Sequence, residues 1–198
     1  PLMQVIILAG GLGTRLAEET DLIPKPMVRI GPYPIIRHIM NHFAEFGHTD
    51  FFVAAGYKAE VIQDYFDSEV FPEQWRVSVI NTGLTTSTGG RLLQLKESLK
   101  QRFFVTYGDG LADVNLKSLS DFHVSIGKLG TVTAVRPPAR FGTLEISNGV
   151  VTKFSEKDPQ EVGWINGGFF LFEREFLDYI NGDQTVLEQE PLRRLASD

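Results

Sequence analysis

The chain has 198 residues, 42% of them hydrophobic, enough for one substantial core without staples; it contains no cysteine, which excludes disulfides, thiolate nucleophiles and cysteine-based zinc or iron–sulfur centres. With 25 acidic against 19 basic side chains the formal net charge is −6, which argues against a nucleic-acid or anionic-membrane surface as the main partner. No apolar stretch approaches the length of a membrane span, and the first residues lead directly into a strand rather than a charged, then apolar, signal, so the expectation is a cytoplasmic protein.

Strand-like and helix-like runs alternate through the first two thirds of the chain, the grammar of an α/β fold with a mixed, mostly parallel central sheet flanked by helices. The apolar run over 4–9 predicts a buried strand, and 34–46 a helix whose Ile35, Ile36, Ile39, Met40, Phe43 and Phe46 share one face, ended by Gly47. A strand over 50–55, a helix over 58–66, a strand over 76–81 and a helix over 91–99 follow. The strand over 103–107 runs into Gly108-Asp109-Gly110, which puts a carboxylate on a tight turn at the carboxyl end of a strand, where open α/β sheets bind ligands. After a helix from 116 to about 128 the pattern becomes antiparallel, with strands over 131–135, 142–147 and 150–154; Asn148-Gly149 is a strong two-residue hairpin signal. A central strand over 169–172 precedes a helical remainder with Pro191 near a first turn. The organisation predicted is one domain in two halves, over 1–128 and 129–198, which the resemblance given below implies to be a nucleotide-binding and a sugar-phosphate-binding part.

The most informative stretch is Leu8-Ala9-Gly10-Gly11-Leu12-Gly13-Thr14-Arg15-Leu16, followed by Pro24-Lys25-Pro26-Met27. Three glycines within four positions let the backbone turn sharply after the first strand and bring several N–H groups close to one anion. Arg15 and Lys25 add fixed positive charge, and the two prolines restrain the backbone that carries the lysine. Two familiar phosphate loops do not fit. The dinucleotide fingerprint needs a small residue where Leu16 stands, which disfavours a nicotinamide-dependent oxidoreductase, and the P-loop needs Gly-Lys-Ser/Thr where the chain reads Arg15-Leu16 or Leu16-Ala17. The residues do offer what attack by a phosphate oxygen on the α-phosphorus of a nucleoside triphosphate requires. Residues 10–14 would hold the phosphates, Arg15 the departing pyrophosphate, Lys25 the α-phosphate and the attacking phosphate, and Asp109 a Mg²⁺ ion, provided that its strand lies beside the first. His38 and His42, four apart on a helix, read as ordinary helix-face residues rather than metal ligands. Glu18, Glu19, Glu188 and Glu190 read as solvated charges, and Trp75 and Trp164 as core or loop anchors.

At these residues the chain resembles the sugar-1-phosphate nucleotidylyltransferases, or sugar-nucleotide pyrophosphorylases, whose first strand leads into G-G-x-G-T-R-L and then K-P-M. Gly56-Tyr57, Asn81-Thr82-Gly83, Thr88-Gly89-Gly90-Arg91, Tyr107-Gly108-Asp109-Gly110, Phe141-Gly142, Glu156-Lys157 and Asn166-Gly167-Gly168-Phe169-Phe170 resemble its glucose-1-phosphate cytidylyltransferase branch. The resemblance implies a Rossmann-like nucleotidyltransferase fold with a small antiparallel sugar-binding portion. It also implies Mg²⁺-dependent joining of CTP and α-D-glucose 1-phosphate, serving nucleotide-sugar and polysaccharide synthesis, in a homo-oligomer. Another pairing of nucleotide (UTP, dTTP) and sugar, or a catalytically silent regulatory module of the same fold, are the alternatives. By the same resemblance Leu8, Ala9, Gly10, Gly11, Gly13, Thr14, Thr82, Thr88, Gly89 and Gly108 would hold nucleotide. Arg15, Lys25 and Asp109 would act on the reacting phosphates and metal, and Gly142, Glu156, Lys157, Asn166 and Gly167 would bind sugar phosphate. The stretch 68–74 is shorter than the corresponding loop of that branch, and the family's second metal-binding aspartate lies beyond the point that matches Asp198.

Overall fold

The computed structural model of the protein describes residues 2–12, 23–137, 143–155 and 163–198. Strand β1 (Gln4–Ala9) is buried along its whole length and has parallel neighbours on both sides, which is why its sequence is continuously apolar from Val5 onward rather than alternating. The neighbours are β4 (Asp50–Ala55) and β6 (Arg102–Tyr107); β5 (Arg76–Asn81) pairs parallel with β4 on the outer side. Beyond β6 lie antiparallel β10 (Ile165–Glu173) and then β7 (Gly130–Val135), giving the order β5-β4-β1-β6-β10-β7. Two-residue strands β2 (Arg29–Ile30) and β3 (Tyr33–Pro34) form a separate small ladder.

Alternation along β1 builds two cores. Val5, Ile7 and Ala9 face helices α1 (Ile35–Glu45) and α2 (Ala59–Ser68), where Ile36, Ile39, Met40, Phe43 and Ile62 are fully buried. Ile6 and Leu8 face the other layer, helix α3 (Thr88–Gln94) with Leu92, Leu95, Leu99, Phe176 and Leu187. Helix α4 (Leu116–Ile126) starts where the Asn115 side chain accepts from the Ser118 N–H at 2.9 Å and stops at Gly127, φ +63°. The chain ends in α5 (Glu190–Ser197), with Pro191 in its first turn.

The described residues group into two units, 1–131 with 168–198, and 132–167. Residues 168–198 thus belong with the first unit and not with the half read as 129–198. The second unit contains the hairpin of β8 (Thr143–Ser147) and β9 (Val150–Ser155), with Asn148 and Gly149 at φ +52° and +78° as the turn signal requires. Helix α3 departs from the expected 91–99. It begins three residues earlier because the Thr185 carbonyl accepts from the N–H groups of Gly89 (2.9 Å) and Gly90 (3.2 Å), a long-range dock that outweighs low glycine helix propensity. After Leu95 the chain tightens into a 3-10 turn at Lys96–Ser98.

One buried polar knot ties α4 to the sheet. His123 is 1% exposed; its Nε2 lies 3.0 Å from Glu173 Oε1 and its Nδ1 2.7 Å from the Thr131 hydroxyl. Arg102 Nε donates to the same Glu173 oxygen at 2.6 Å. Burial pushes the Glu173 carboxyl up, but the hydrogen bonds and charges of Arg102 and His123 outweigh it and hold the group below its ordinary value of 4.5. A depressed folded-state value means that this stabilisation is complete above pH 4.5 and disappears as pH falls through the lowered value. Glu173→Gln is expected to cost about 2 kcal/mol at pH 7, with the gap to wild type narrowing below pH 4.5. Thermal unfolding at pH 7 and pH 3 checks this, and an unchanged gap would contradict it.

Candidate functional site

Parallel strands β1, β5 and β6 end on the same side of the sheet, and the polypeptide that leaves them walls a cleft of about 470 Å³. Leu8, Ala9, Gly10 and Gly11 form one edge. Thr86, Ser87 and Thr88, leading into α3, form a second, and Tyr107, Gly108 and Asp109 at the end of β6 a third. Lys25 and Pro26 close the fourth. The β1–β6 ladder continues past the strand ends, since the Gly108 N–H donates to the Leu8 carbonyl at 2.9 Å. A Cβ on Gly108 would lie 3.0 Å from Pro26 Cγ, so the glycine admits the proline that carries Lys25 against the strand end.

Lys25 opens a 3-10 turn at Lys25–Met27, with Pro24 before it at φ −68°. Its ammonium is ion-paired with the Asp109 carboxylate, both side chains about one-third exposed. The two residues that the sequence placed on the reacting phosphates and the metal therefore meet across the cleft, although 84 positions separate them (109 − 25).

Beneath the glycine turn lies Arg91, 4% exposed. Its guanidinium donates to the carbonyls of Gly10 (3.0 Å), Gly83 (2.7 Å) and Ala55 (3.2 Å) and to the Thr82 hydroxyl (2.7 Å). None of these acceptors carries a charge. Burial lowers the Arg91 pKa from its ordinary value, yet arginine stays protonated in proteins, so a fixed cation borders the cleft. A Cβ on Gly10 would fall 2.1 Å from Arg91 Cζ, and one on Gly56 2.4 Å from Nη1. The absence of side chains there is what admits the guanidinium.

Of the residues expected at the site, Leu8, Ala9, Gly10, Gly11, Lys25, Thr88, Gly108 and Asp109 line this one cleft. Thr82 and Gly89 do not. The Thr82 hydroxyl donates to Ala55 (2.7 Å) and accepts from Arg91, and the Gly89 N–H is taken by Thr185, so the polar groups expected to face the base and ribose are spent on the scaffold. Asn166 and Gly167 open β10 in the second unit, where a Cβ on Gly167 would come within 2.8 Å of the Thr133 carbonyl. Gly13, Thr14, Arg15, Gly142, Glu156 and Lys157 lie outside the described residues.

Sequence reasoning missed Arg91, Thr86, Ser87, Tyr107 and Glu188. Arg91 carried a signal, a lone cation beside Leu92 on the face that Leu95 and Leu99 continue into the core. Glu188, read as solvated, accepts from both the Thr88 and Tyr107 hydroxyls at 2.6 Å. Trp75 is an anchor, packed on Phe51 and Phe71, whereas Trp164 is 64% exposed with the Arg136 guanidinium 4.4 Å above its ring. His38 and His42 each engage a backbone carbonyl through Nε2, Ile30 at 2.8 Å and Val114 at 2.9 Å.

The two leading glycines are expected to respond differently to a methyl group. Gly10→Ala expels the Arg91 guanidinium from its carbonyls and should destabilise by about 3 kcal/mol. Gly11→Ala meets only open space among the described residues and should leave stability within about 0.5 kcal/mol of wild type. Denaturant unfolding of both variants checks the contrast, and equal losses would contradict it.

The nucleotidyl transferase family model matches residues 4–193. A glucose-1-phosphate cytidylyltransferase of Salmonella typhi is 44% identical, over 98% of this chain and 84% of the relative. That alignment spans 216 positions against the 198 residues here, so the relative carries residues with no counterpart in this chain. A mannose-1-phosphate guanyltransferase of Kluyveromyces lactis is 33% identical, over 95% of this chain and 55% of the relative. Among solved structures, HddC from Yersinia pseudotuberculosis superposes with a TM-score of 0.77 at 27% identity, covering 98% of this chain and 86% of the other. No helix among the described residues is long and apolar enough to cross a membrane.

Proposed function

This chain belongs to the nucleotidyl transferase family and is a sugar-phosphate nucleotidyltransferase, and we propose that it joins CTP to α-D-glucose 1-phosphate, giving CDP-glucose and pyrophosphate. The observation that carries the reading is the meeting of Lys25 and Asp109 in a cleft edged by Gly10 and Gly11 and bordered by buried Arg91. Two cations, Lys25 and Arg91, line that cleft in a protein whose net charge is −6. The choice of cytosine and glucose rests on the Salmonella relative, because a cleft edged by backbone and hydroxyl groups is compatible with more than one base.

The reaction needs positioning and charge neutralisation rather than a covalent nucleophile: a sugar-phosphate oxygen attacks the α-phosphorus and pyrophosphate departs on the opposite side. In the proposed assignment the backbone from Gly10 onward holds the triphosphate, and Lys25 steers the α-phosphate and the incoming phosphate toward each other. Arg15 takes the pyrophosphate on its motif alone, and Gly142, Glu156, Lys157, Asn166 and Gly167 hold the sugar phosphate. Asp109 would carry magnesium, which when bound supplies Lewis-acid neutralisation of phosphate charge. The donor set suits that ion. The Asp109 carboxylate already receives a cation, the Lys25 ammonium, and magnesium takes one or two carboxylates with the remaining oxygens from phosphates and water.

Pyrophosphate release from CTP, UTP, dTTP, GTP and ATP against a panel of sugar 1-phosphates is the direct experiment, with CTP and glucose 1-phosphate expected to lead. Asp109→Asn and Lys25→Ala are each expected to lower kcat/KM by about 10²–10³-fold without loss of the fold. Wild-type turnover in either variant would remove that residue from the chemistry.

A further inference from the structure

We infer that Glu188 is a positioning residue of the nucleotide cleft, its carboxylate bracing the wall at the start of α3 against the wall at the end of β6. The inference rests on the nucleotidyl-transfer reading above and deepens it. Residues 183–187 dock on the stretch leading into α3: the Ser87 N–H donates to the Asp183 carbonyl (2.8 Å) and the Gly89 N–H to Thr185 (2.9 Å). Cβ atoms on Gly89 and Gly90 would lie 2.6 Å and 2.3 Å from those carbonyl oxygens, so side chains there would push the segment away. Leu187 is fully buried, and its N–H donates to the Thr88 hydroxyl at 3.0 Å. This anchoring delivers the next residue, Glu188, to the rim of the cleft.

There the two carboxylate oxygens divide between the walls. Oε2 accepts from the Thr88 hydroxyl and Oε1 from the Tyr107 hydroxyl, each at 2.6 Å, within the short range of hydroxyl-to-carboxylate bonds. Both donors line the cleft, and Tyr107 directly precedes Gly108-Asp109. The Tyr107 ring is edge-on to Phe170 at 6.1 Å and packs where a Cβ on Gly168 would lie within 2.8 Å of it, so its hydroxyl reaches the rim from a fixed base. The carboxylate therefore ties the strand end that leads into Asp109 to the Thr86–Thr88 wall.

Charge alone would assign Glu188 the opposite effect. An anion at the rim repels a triphosphate, so a merely solvated glutamate would improve nucleotide affinity when neutralised. A brace would impair it, because small misplacements of catalytic groups are costly. The sign of the effect separates the two.

The test measures pyrophosphate release, CTP binding by calorimetry and thermal unfolding for wild type, Glu188→Ala, Glu188→Gln, Tyr107→Phe and the Glu188→Ala/Tyr107→Phe pair. Glu188→Ala is expected to lower kcat about tenfold and raise the CTP KM several-fold, while the KM for sugar phosphate stays within about twofold. Its midpoint of unfolding is expected to move by about 3 °C or less, since the pair is exposed. Glu188→Gln should recover part of the loss, and Glu188→Ala should cost less in the Tyr107→Phe background than alone. Tighter CTP binding with unchanged kcat, or strictly additive losses, would overturn the inference. So would a loss of activity fully accounted for by unfolding. Wild type inactive with every nucleotide and sugar phosphate would instead sink the transfer reading, and the CTP affinities of the same variants would still decide whether Glu188 braces the cleft.

Discussion

A single buried cation holds the carboxyl end of the sheet together. Arg91 reaches from α3 under the first turn and gathers oxygens that belong to three adjacent strand ends: Gly10 after β1, Ala55 at the end of β4, and Thr82 with Gly83 after β5. Burying a guanidinium is costly, and no carboxylate is among these acceptors to offset it. What offsets it is that strand ends leave carbonyls in need of donors, and one planar group with five N–H bonds satisfies several of them at once. Helix α3 can place the group there only because residues 183–187 dock over Gly89 and Gly90 on its outer side. Scaffold and cleft thus share one constraint, and the fixed cation that borders the cleft is a by-product of the way the strand ends are satisfied.

Lys25 and Asp109 belong to a different layer of organisation. They are partly exposed, they reach the cleft on short rigid segments, and each supplies what the other lacks. An exposed pair of this kind contributes little to stability. Its position lies between the glycine edge and the end of β6, where a carboxylate and an ammonium line one cleft, as the proposed phosphate chemistry requires. Arg91 by contrast is committed to backbone and cannot leave it without exposing unsatisfied carbonyls. One cation is fixed for structure and the other free to exchange partners.

What the sequence made legible follows this division. Central strands, the two apolar faces of α1 and α2, the Asn148-Gly149 turn and the adjacency of β1 with β6 all come from local periodicity and chirality, which a linear text records. The cleft residues contributed by the glycine turn, by Lys25 and by Asp109 were legible because phosphate chemistry restricts residue types at close spacing. The start of α3, the scaffold role of Thr82 and Gly89, and the double acceptance by Glu188 were not. Thr82 is held by Ala55 and Arg91, and the others depend on residues 183–188 returning to a segment about a hundred positions earlier; no local pattern encodes either contact.

The glycines sharpen the point. A glycine-rich turn after a first strand is commonly read as a cradle whose every glycine faces the ligand. Here the neighbours sort them. Gly10, Gly56, Gly89, Gly90 and Gly108 each lie where a Cβ would press on a guanidinium, a carbonyl or a proline ring of the protein itself. Their smallness is explained from within. Gly11 lines the cleft, yet among the described residues nothing lies within 4 Å of the place its Cβ would take. Among the described residues packing gives no reason for a glycine at that position, whereas the proposed close approach of its N–H to a phosphate would. Of the first two glycines, both of which edge the cleft, the first thus makes room for the arginine that holds the turn, while the second meets nothing among the described residues.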